Sequence, residues 1–210
     1  MIPVQLQPEP ASFDANVRAK GLAHLNAKGY ALDKPLPSGA TIEPFWRGDC
    51  LTELHKAYGG ICAYLCVFVE RCTGGVSVDH FIAKSALAGL AYEWSNYRLA
   101  CSTMNSRKRD FDDVLDPFEL EPDLFHLDLT TGRIYPNPAL GAYQMVQVEQ
   151  TIQRLGLDDP LYRDMRVRWF DDYLNGPLPN DYLRRKSPFV WAEAKRQGLL
   201  LTAMIRDEAQ

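Results

Sequence analysis

The sequence predicts an α+β fold in which a strand–loop–strand–helix unit is embedded in a mostly helical domain. Apolar residues recur at helical spacing over most of the chain, whereas residues 76–110 combine short strand-like runs with the start of a helix. The 210 residues, 46% of them hydrophobic, suffice for one well-buried domain. We expect an N-terminal helical segment (1–58), a core (59–112) and a helical C-terminal extension (113–210) packed on that core.

The N-terminal segment is predicted to contain two helices. Residues 11–28 carry apolar side chains near helical spacing, and Gly29 follows them as a helix end. A connector with several prolines covers residues 35–44, and a short helix is expected at 51–58 before Gly59 and Gly60.

The core is predicted to begin with a buried strand over Ile61–Val69, which is rich in aromatic and β-branched residues. After a turn at Thr73–Gly75, a strand starting at Val76 is expected to close with Asp79 and His80. A second strand over Tyr92–Leu99 and a helix starting at Ser102 complete the unit.

The C-terminal extension is predicted to be helical after two short strands near Phe125–Leu129 and Arg133–Tyr135. Helices are expected over residues 139–155, 160–174 and 189–206, with Pro177, Pro179 and Pro188 between the last two.

The charge distribution leaves room for a nucleic-acid partner despite a net charge of -4. Residues 111–128 hold seven acidic residues and no Lys or Arg, but Arg107, Lys108 and Arg109 stand just before this segment. The N-terminus lacks a signal-peptide pattern and the longest apolar run, Ile61–Val69, is too short to span a bilayer, so a cytoplasmic protein without a membrane partner is expected.

An odd number of cysteines, five, argues against a disulfide framework.

Four polar residues in the core fit the chemistry of phosphodiester hydrolysis: Asp79, His80, Asn96 and Asn105. His80 is a candidate base for activating water, and the oxygens of Asp79 and Asn105 suit a hard divalent cation. A turn at Phe81 is needed to bring Asp79 and His80 to one phosphate, and Asn96 is expected to hold the loop by hydrogen bonds to backbone. From these residues alone, a structural histidine among polar loop residues is the commoner explanation.

The order and spacing of several motifs resemble the HNH endonuclease family. The matching stretches are Cys62-Ala63-Tyr64, Val78–Ser85, Tyr92–Cys101 and Asn105–Lys108. The resemblance implies a ββα-metal finger with Asp79 and Asn105 as metal ligands, His80 as general base and Asn96 as the loop-ordering asparagine. It also implies phosphate contacts by Lys108, to which we add Arg98, Arg107 and Lys84, with Arg109 as a further candidate.

The helical tail weakly resembles HNH proteins of anti-phage systems of the Septu and retron-associated kind. The match, at positions such as Gly141-Ala142-Tyr143 and Leu155-Gly156-Leu157, consists mostly of the spacing of apolar residues. An effector role in prokaryotic anti-phage defence is the function that this tail implies.

The cysteine pattern departs from that of many relatives, in which two Cys-x-x-Cys pairs hold a structural zinc. Here Cys62 and Cys66 are separated by three residues, and Met104 stands where the last cysteine would be. A thioether is a poor zinc ligand compared with a thiolate, so a structural Zn²⁺ is not expected. Packing of Phe68, Trp94 and Met104 is expected to take its place.

Three hypotheses follow for the function. The leading one is a nuclease that uses one divalent ion, Mg²⁺ or alternatively Mn²⁺, to cut DNA. The second is an RNA-cleaving HNH nuclease. The third is a nucleic-acid-binding or assembly subunit whose acidic segment 111–128 and helical tail dock a partner, for instance an ATPase of a defence system.

Overall fold

The computed structural model describes residues 1–73 and 75–201, which form helices and two small antiparallel sheets, an α+β fold. Short π- and 3-10-helical turns lie at Asp14–Arg18, Arg71–Thr73, Ala88–Tyr92 and Trp94–Asn96. The strands are β1 (Val76–His80), β2 (Tyr97–Cys101), β3 (Phe125–Leu127) and β4 (Ile134–Pro136). The helices are α1 (Ala19–Ala27), α2 (Asp49–Ala57), α3 (Ser102–Lys108), α4 (Ala142–Leu155), α5 (Pro160–Leu174), α6 (Asn180–Lys186) and α7 (Pro188–Arg196).

The hairpin of β1 and β2 positions the polar residues of interest. The strands pair antiparallel from Val76 opposite Cys101 to His80 opposite Tyr97. Helix α3 follows β2 without a linker and packs against both strands. The first turn of α3 therefore lies beside the start of β1, and the side chain of Lys108, the last residue of α3, reaches the end of β1.

Most of the predicted helices are present, and their ends follow from the residues at their boundaries. Helix α5 spans residues 160–174 as predicted, with a proline in its first turn, where no helical N–H is lost. Helix α4 ends at Gly156, whose φ of 59° lies in the left-handed region that favours glycine. Of the predicted helix 189–206, α7 covers the part up to Arg196, and the prediction was wrong for residues 197–201, which are not helical. Residues 202–206 lie outside the described chain, as does Gly74 of the predicted turn.

Two strand predictions were wrong. Ile61–Val69 forms a tight turn, because Cys66 takes a left-handed backbone (φ 54°) and its N–H bonds to Cys62 O at 2.8 Å. Only an isolated bridge between Ile61 and Phe68 remains of the strand. The strand predicted to begin at Tyr92 begins at Tyr97, since residues 88–96 coil into two short 3-10 turns. Helix α6 was missed, because prolines on both sides of so short a segment favour a loop.

Two clusters of buried side chains form the core. One joins Tyr64, Met104 and the C-terminal helices, and includes Leu127, Leu155 and Tyr173. The other packs α1 and α2 against the hairpin through Phe13, Leu54, Trp94 and Leu99. The hairpin thus lies between two apolar layers. The division of the chain at residues 58 and 112 stays a prediction.

In the described residues, no helix combines the length and the apolar character that a membrane span requires.

Candidate functional site

A cleft of about 690 Å³ lies between the β1–β2–α3 unit and the irregular segment 36–47. Asp79, His80 and Asn105 line one side, together with Lys84 and Arg109. The opposite side is formed by residues 36–42, Pro44, Trp46 and Arg47. Three of the four polar residues expected from the sequence therefore meet at one place.

Asp79 is buried near the end of β1, with only 1% of its surface exposed. Its Oδ2 accepts a hydrogen bond from the Tyr64 hydroxyl at 2.5 Å and lies 3.8 Å from Lys108 Nζ. Burial raises the pKa of this carboxyl, and the positive charge of Lys108 and the Tyr64 bond oppose that rise. Within the described chain Oδ1 accepts no hydrogen bond, which leaves one carboxylate oxygen free at the cleft.

His80 closes β1, and the chain bends at the next two residues, the turn that the sequence required. The Nε2–H of His80 bonds to Ala91 O at 2.9 Å, and the ring packs edge-on against Trp46 and Tyr97. Burial, together with the positive charge of Lys84, lowers the pKa of His80 to about 3. The ring is therefore neutral at neutral pH. With Nε2 protonated, Nδ1 carries the lone pair.

Asn105 lies in the first turn of α3, and its amide nitrogen fixes it to β1. Nδ2 donates to Ser77 Oγ and to Val78 O, both at 3.2 Å. These two bonds leave Oδ1 of Asn105 without a partner among the described residues, on the side chain that lines the cleft. The amide oxygen is thus available to a ligand.

Asn96 does not line the cleft, and the hydrogen bonds expected of it are present. Its Oδ1 accepts from Ile82 N at 2.8 Å, and its Nδ2 donates to Ile82 O and Leu90 O, both at 3.0 Å. Ile82 lies in the bend after His80, and Leu90 directly precedes Ala91, whose carbonyl accepts the hydrogen bond from the His80 ring. Asn96 therefore orders the loop around His80.

Three basic residues expected at phosphate are instead engaged inside the protein. Arg98 is 4% exposed and forms a two-pronged ion pair with Asp116, at 2.7 and 2.5 Å. Lys108 is buried, and its ammonium donates to Phe81 O at 2.7 Å and His80 O at 3.3 Å. Arg107 bonds to Asp159, at 2.7 Å, and to the carbonyls that end α4. As placed, these side chains brace the fold and do not reach the cleft.

The cations that do line the cleft are Lys84 and Arg109, which the sequence indicated, and Arg47. Lys84 lies 5.3 Å from the centre of the Trp46 ring. Arg47 and Arg109 are exposed, and Arg109 has a left-handed φ of 51° directly after α3. Arg47 and Trp46 were missed, because a connector far from the hairpin in sequence gives no local signal that it will fold over the site.

The acidic segment 111–128 is partly neutralised by contacts within the chain. Asp116 holds Arg98, and Asp113 holds Arg154 through bonds of 2.7–3.0 Å. These contacts tie the segment to β2 and α4.

The cysteines occupy three different environments. Cys62 is buried, its Sγ accepts a bond from the backbone N–H of Cys101 at 3.3 Å, and the two thiols are also hydrogen bonded. Cys66 is buried and Cys72 is exposed. The bond from Cys62 lowers the pKa of the Cys101 thiol to about 7, whereas burial raises that of Cys62.

The cleft offers donor atoms that can be compared with those that a divalent cation prefers. No cluster of three His, Cys, Asp or Glu side chains suited to a metal occurs in residues 1–73 and 75–201. The free oxygens of Asp79 and Asn105 are of the hard type that Mg²⁺ and Mn²⁺ take, and Mg²⁺ commonly binds through one or two protein oxygens while keeping several waters. The donor set fits such an ion.

No protein-family model matches the chain, and no curated protein matches it.

Proposed function

We propose that this protein is a metal-dependent endonuclease of the HNH type that hydrolyses phosphodiester bonds, with DNA as the expected substrate. One observation carries the proposal: Asp79, Asn105 and His80 line the same cleft, each with one polar atom anchored and one free. Anchoring of one atom fixes the direction of the other, which is how a catalytic site is organised in advance.

The local architecture supports a ββα-metal finger. β1 and β2 pair antiparallel, α3 continues directly from β2, and α3 packs on both strands. Asp79 and His80 end the first strand, and Asn105 lies in the first turn of the helix. This is the order that the resemblance to the HNH family implies.

His80 acts as the general base in this proposal. The bond from its Nε2–H to Ala91 O sets the tautomer, so Nδ1 takes the proton from an attacking water. A pKa of about 3 keeps Nδ1 unprotonated before substrate arrives. A bound phosphate would act to raise that pKa, because nearby negative charge stabilises the imidazolium, and a divalent cation on Asp79 would act in the opposite direction.

Asp79 and Asn105 would hold the divalent cation through their free oxygens. When bound, the ion supplies charge neutralisation on the phosphate and on the leaving oxygen. The positive charge of Lys108 opposes the rise that burial causes in the pKa of the Asp79 carboxyl, and Lys84 adds positive charge to the cleft. Asn96 acts through the loop, by holding the bend after His80 in place.

The test is cleavage of supercoiled plasmid, single-stranded DNA and RNA in Mg²⁺ or Mn²⁺, with EDTA as the metal-free control. We expect cleavage by the wild-type protein and a loss of at least about 100-fold in His80→Ala, since general-base catalysis contributes about 10²–10⁴-fold. His126→Gln is the matched control, because His126 lies outside the cleft. Cleavage retained in His80→Ala, or no cleavage by the folded wild type with either metal, contradicts the proposal.

A further inference from the structure

The segment 36–47, here called the wall, closes one side of the cleft and is tied to the core at both ends. Before it, Leu32 O and Lys34 O accept bonds from Gly89 N at 2.9 Å and Ala88 N at 3.0 Å. Within it, Glu43 O accepts a bond from the Tyr92 hydroxyl at 2.9 Å. The ring of Trp46 packs edge-on against that of His80, with centroids 4.7 Å apart. The wall is therefore a fixed part of the site.

The reactive groups lie at the bottom of this cleft. Asp79 and His80 are 1% and 6% exposed. The volume of about 690 Å³ falls within the ~300–1,000 Å³ of clefts that enclose small ligands. A duplex has a persistence length of about 150 base pairs, so bending its phosphates inward costs free energy, whereas a single strand is flexible enough to enter.

The charge of the cleft agrees with a short strand. Its cations are Arg47 on the wall, Lys84 in the loop after β1 and Arg109 after α3, accompanied by the acidic Asp110. Three cations match about three phosphates, whereas proteins that grip a duplex commonly make about 6–10 such contacts. Several apolar residues of the wall, among them Leu36, Ile42 and Trp46, offer surface to sugars and bases.

The two arginines are placed on opposite sides. Arg47 ends the wall, and Arg109 follows the last residue of α3 on the catalytic side. Arg109 keeps a side chain at a backbone position (φ 51°) where glycine would be unstrained. Both are exposed while lining the cleft.

We propose that the cleft admits a single flexible polynucleotide strand and excludes duplex, with Arg47 and Arg109 holding the phosphates on either side of the reactive groups. This inference rests on the proposed function. It adds the form of the substrate and two binding residues.

The test measures binding by fluorescence anisotropy with the His80→Ala protein in Ca²⁺, which keeps the probes intact. The probes are a labelled mixed-sequence eight-nucleotide DNA strand, the RNA of the same sequence, and a blunt 20-base-pair DNA duplex. We expect at least tenfold tighter binding of a single strand than of the duplex. The two single-stranded probes show whether DNA or RNA is preferred. Three phosphate contacts predict a slope of log affinity against log salt of about −2 (0.7 × 3) for a single strand.

Arg47→Gln and Arg109→Gln, added singly, remove the charge and keep a polar side chain. Each is expected to reduce the slope to about −1.4 (0.7 × 2). Arg168→Gln is the matched control, since Arg168 is an exposed arginine of α5 that does not line the cleft. Equal binding of duplex and single strand, or an unchanged slope in both arginine variants, overturns the inference.

Cleavage by the wild-type protein separates this inference from the proposed function. Duplex cut as fast as single strand contradicts the inference and leaves the nuclease proposal standing. If no polynucleotide is cut, the nuclease proposal fails, and the anisotropy result still decides whether the cleft selects a single strand.

Discussion

The ammonium group of Lys108 lies 3.8 Å from Asp79 Oδ2, and both side chains are 1% exposed. The same ammonium donates to the carbonyls of His80 and Phe81. Lys108 therefore connects α3 both to the candidate metal ligand and to the bend that follows the candidate base.

Removal of Lys108 should destabilise the fold and disable the site together. In Lys108→Met the Asp79 carboxyl loses its nearest cation, so we expect a loss of about 3–5 kcal/mol in the free energy of unfolding, measured with urea. Lys56→Met, at an exposed position of α2, is the control. In the double variant Lys108→Met with Asp79→Asn, the loss of stability should be smaller than the sum of the losses in the two single variants, because the carboxylate that pairs with Lys108 is absent. Additive losses would contradict the pairing.

Asn96→Asp tests the loop that surrounds His80. The substitution keeps the oxygen that accepts from Ile82 N but turns the donor to Ile82 O and Leu90 O into an acceptor facing two carbonyls. We expect a loss of at least about 2 kcal/mol in stability, from two lost buried hydrogen bonds, and a lower kcat for cleavage. Asn16→Asp, at an exposed position, should leave both unchanged. A variant as stable and active as the wild type would show that Asn96 does not order the loop.

The sequence indicated the residues of the site better than their surroundings. Asp79, His80, Asn96 and Asn105 are placed by local strand, turn and helix patterns, and the chain brings three of them to the cleft. The sequence did not indicate that Arg98 would be buried against Asp116, because the residues are 18 positions apart and no pattern in the sequence pairs them. The position of the wall was beyond prediction for the same reason. The hydrogen bonds that hold it, from Gly89 and Ala88 to the chain just before the wall and from Tyr92 to Glu43 within it, are long-range.

Gly89→Ala tests whether the fixed wall determines access to the cleft. A Cβ at this position would lie 2.7 Å from Leu32 O, a backbone atom, so the chain before the wall has to move. We expect a loss of about 1–3 kcal/mol in stability, as for other overpacked sites, and a smaller preference for single strand over duplex in the anisotropy assay. In Gly141→Ala the added Cβ meets no atom within 4 Å, so this variant serves as the control. An unaltered preference in a folded Gly89→Ala protein would argue against the role of the wall.

The Cys62–Cys101 contact predicts a pH-dependent reactivity. Since the pKa of the Cys101 thiol is lowered to about 7, its thiolate should accumulate as the pH rises through 7, ahead of an ordinary thiol. Pulsed alkylation with iodoacetamide, read at the Cys101 peptide by mass spectrometry, should give a midpoint near 7. In Cys62→Ala the midpoint should move up, because the hydrogen bond that stabilises the thiolate is lost. The same midpoint in both proteins would contradict the assigned cause.

The central claim is that Asp79 and Asn105 present their free oxygens to one divalent ion beside His80. The most direct test is anomalous diffraction from crystals of the protein soaked in Mn²⁺, compared with crystals of Asp79→Asn and Asn105→Ala grown alike. We expect one strong peak within bonding distance of Asp79 Oδ1 and Asn105 Oδ1 in the wild type, weakened in both variants. A wild-type protein that cleaves in Mn²⁺ but shows its peak elsewhere, or a peak that both variants retain at full height, would contradict it.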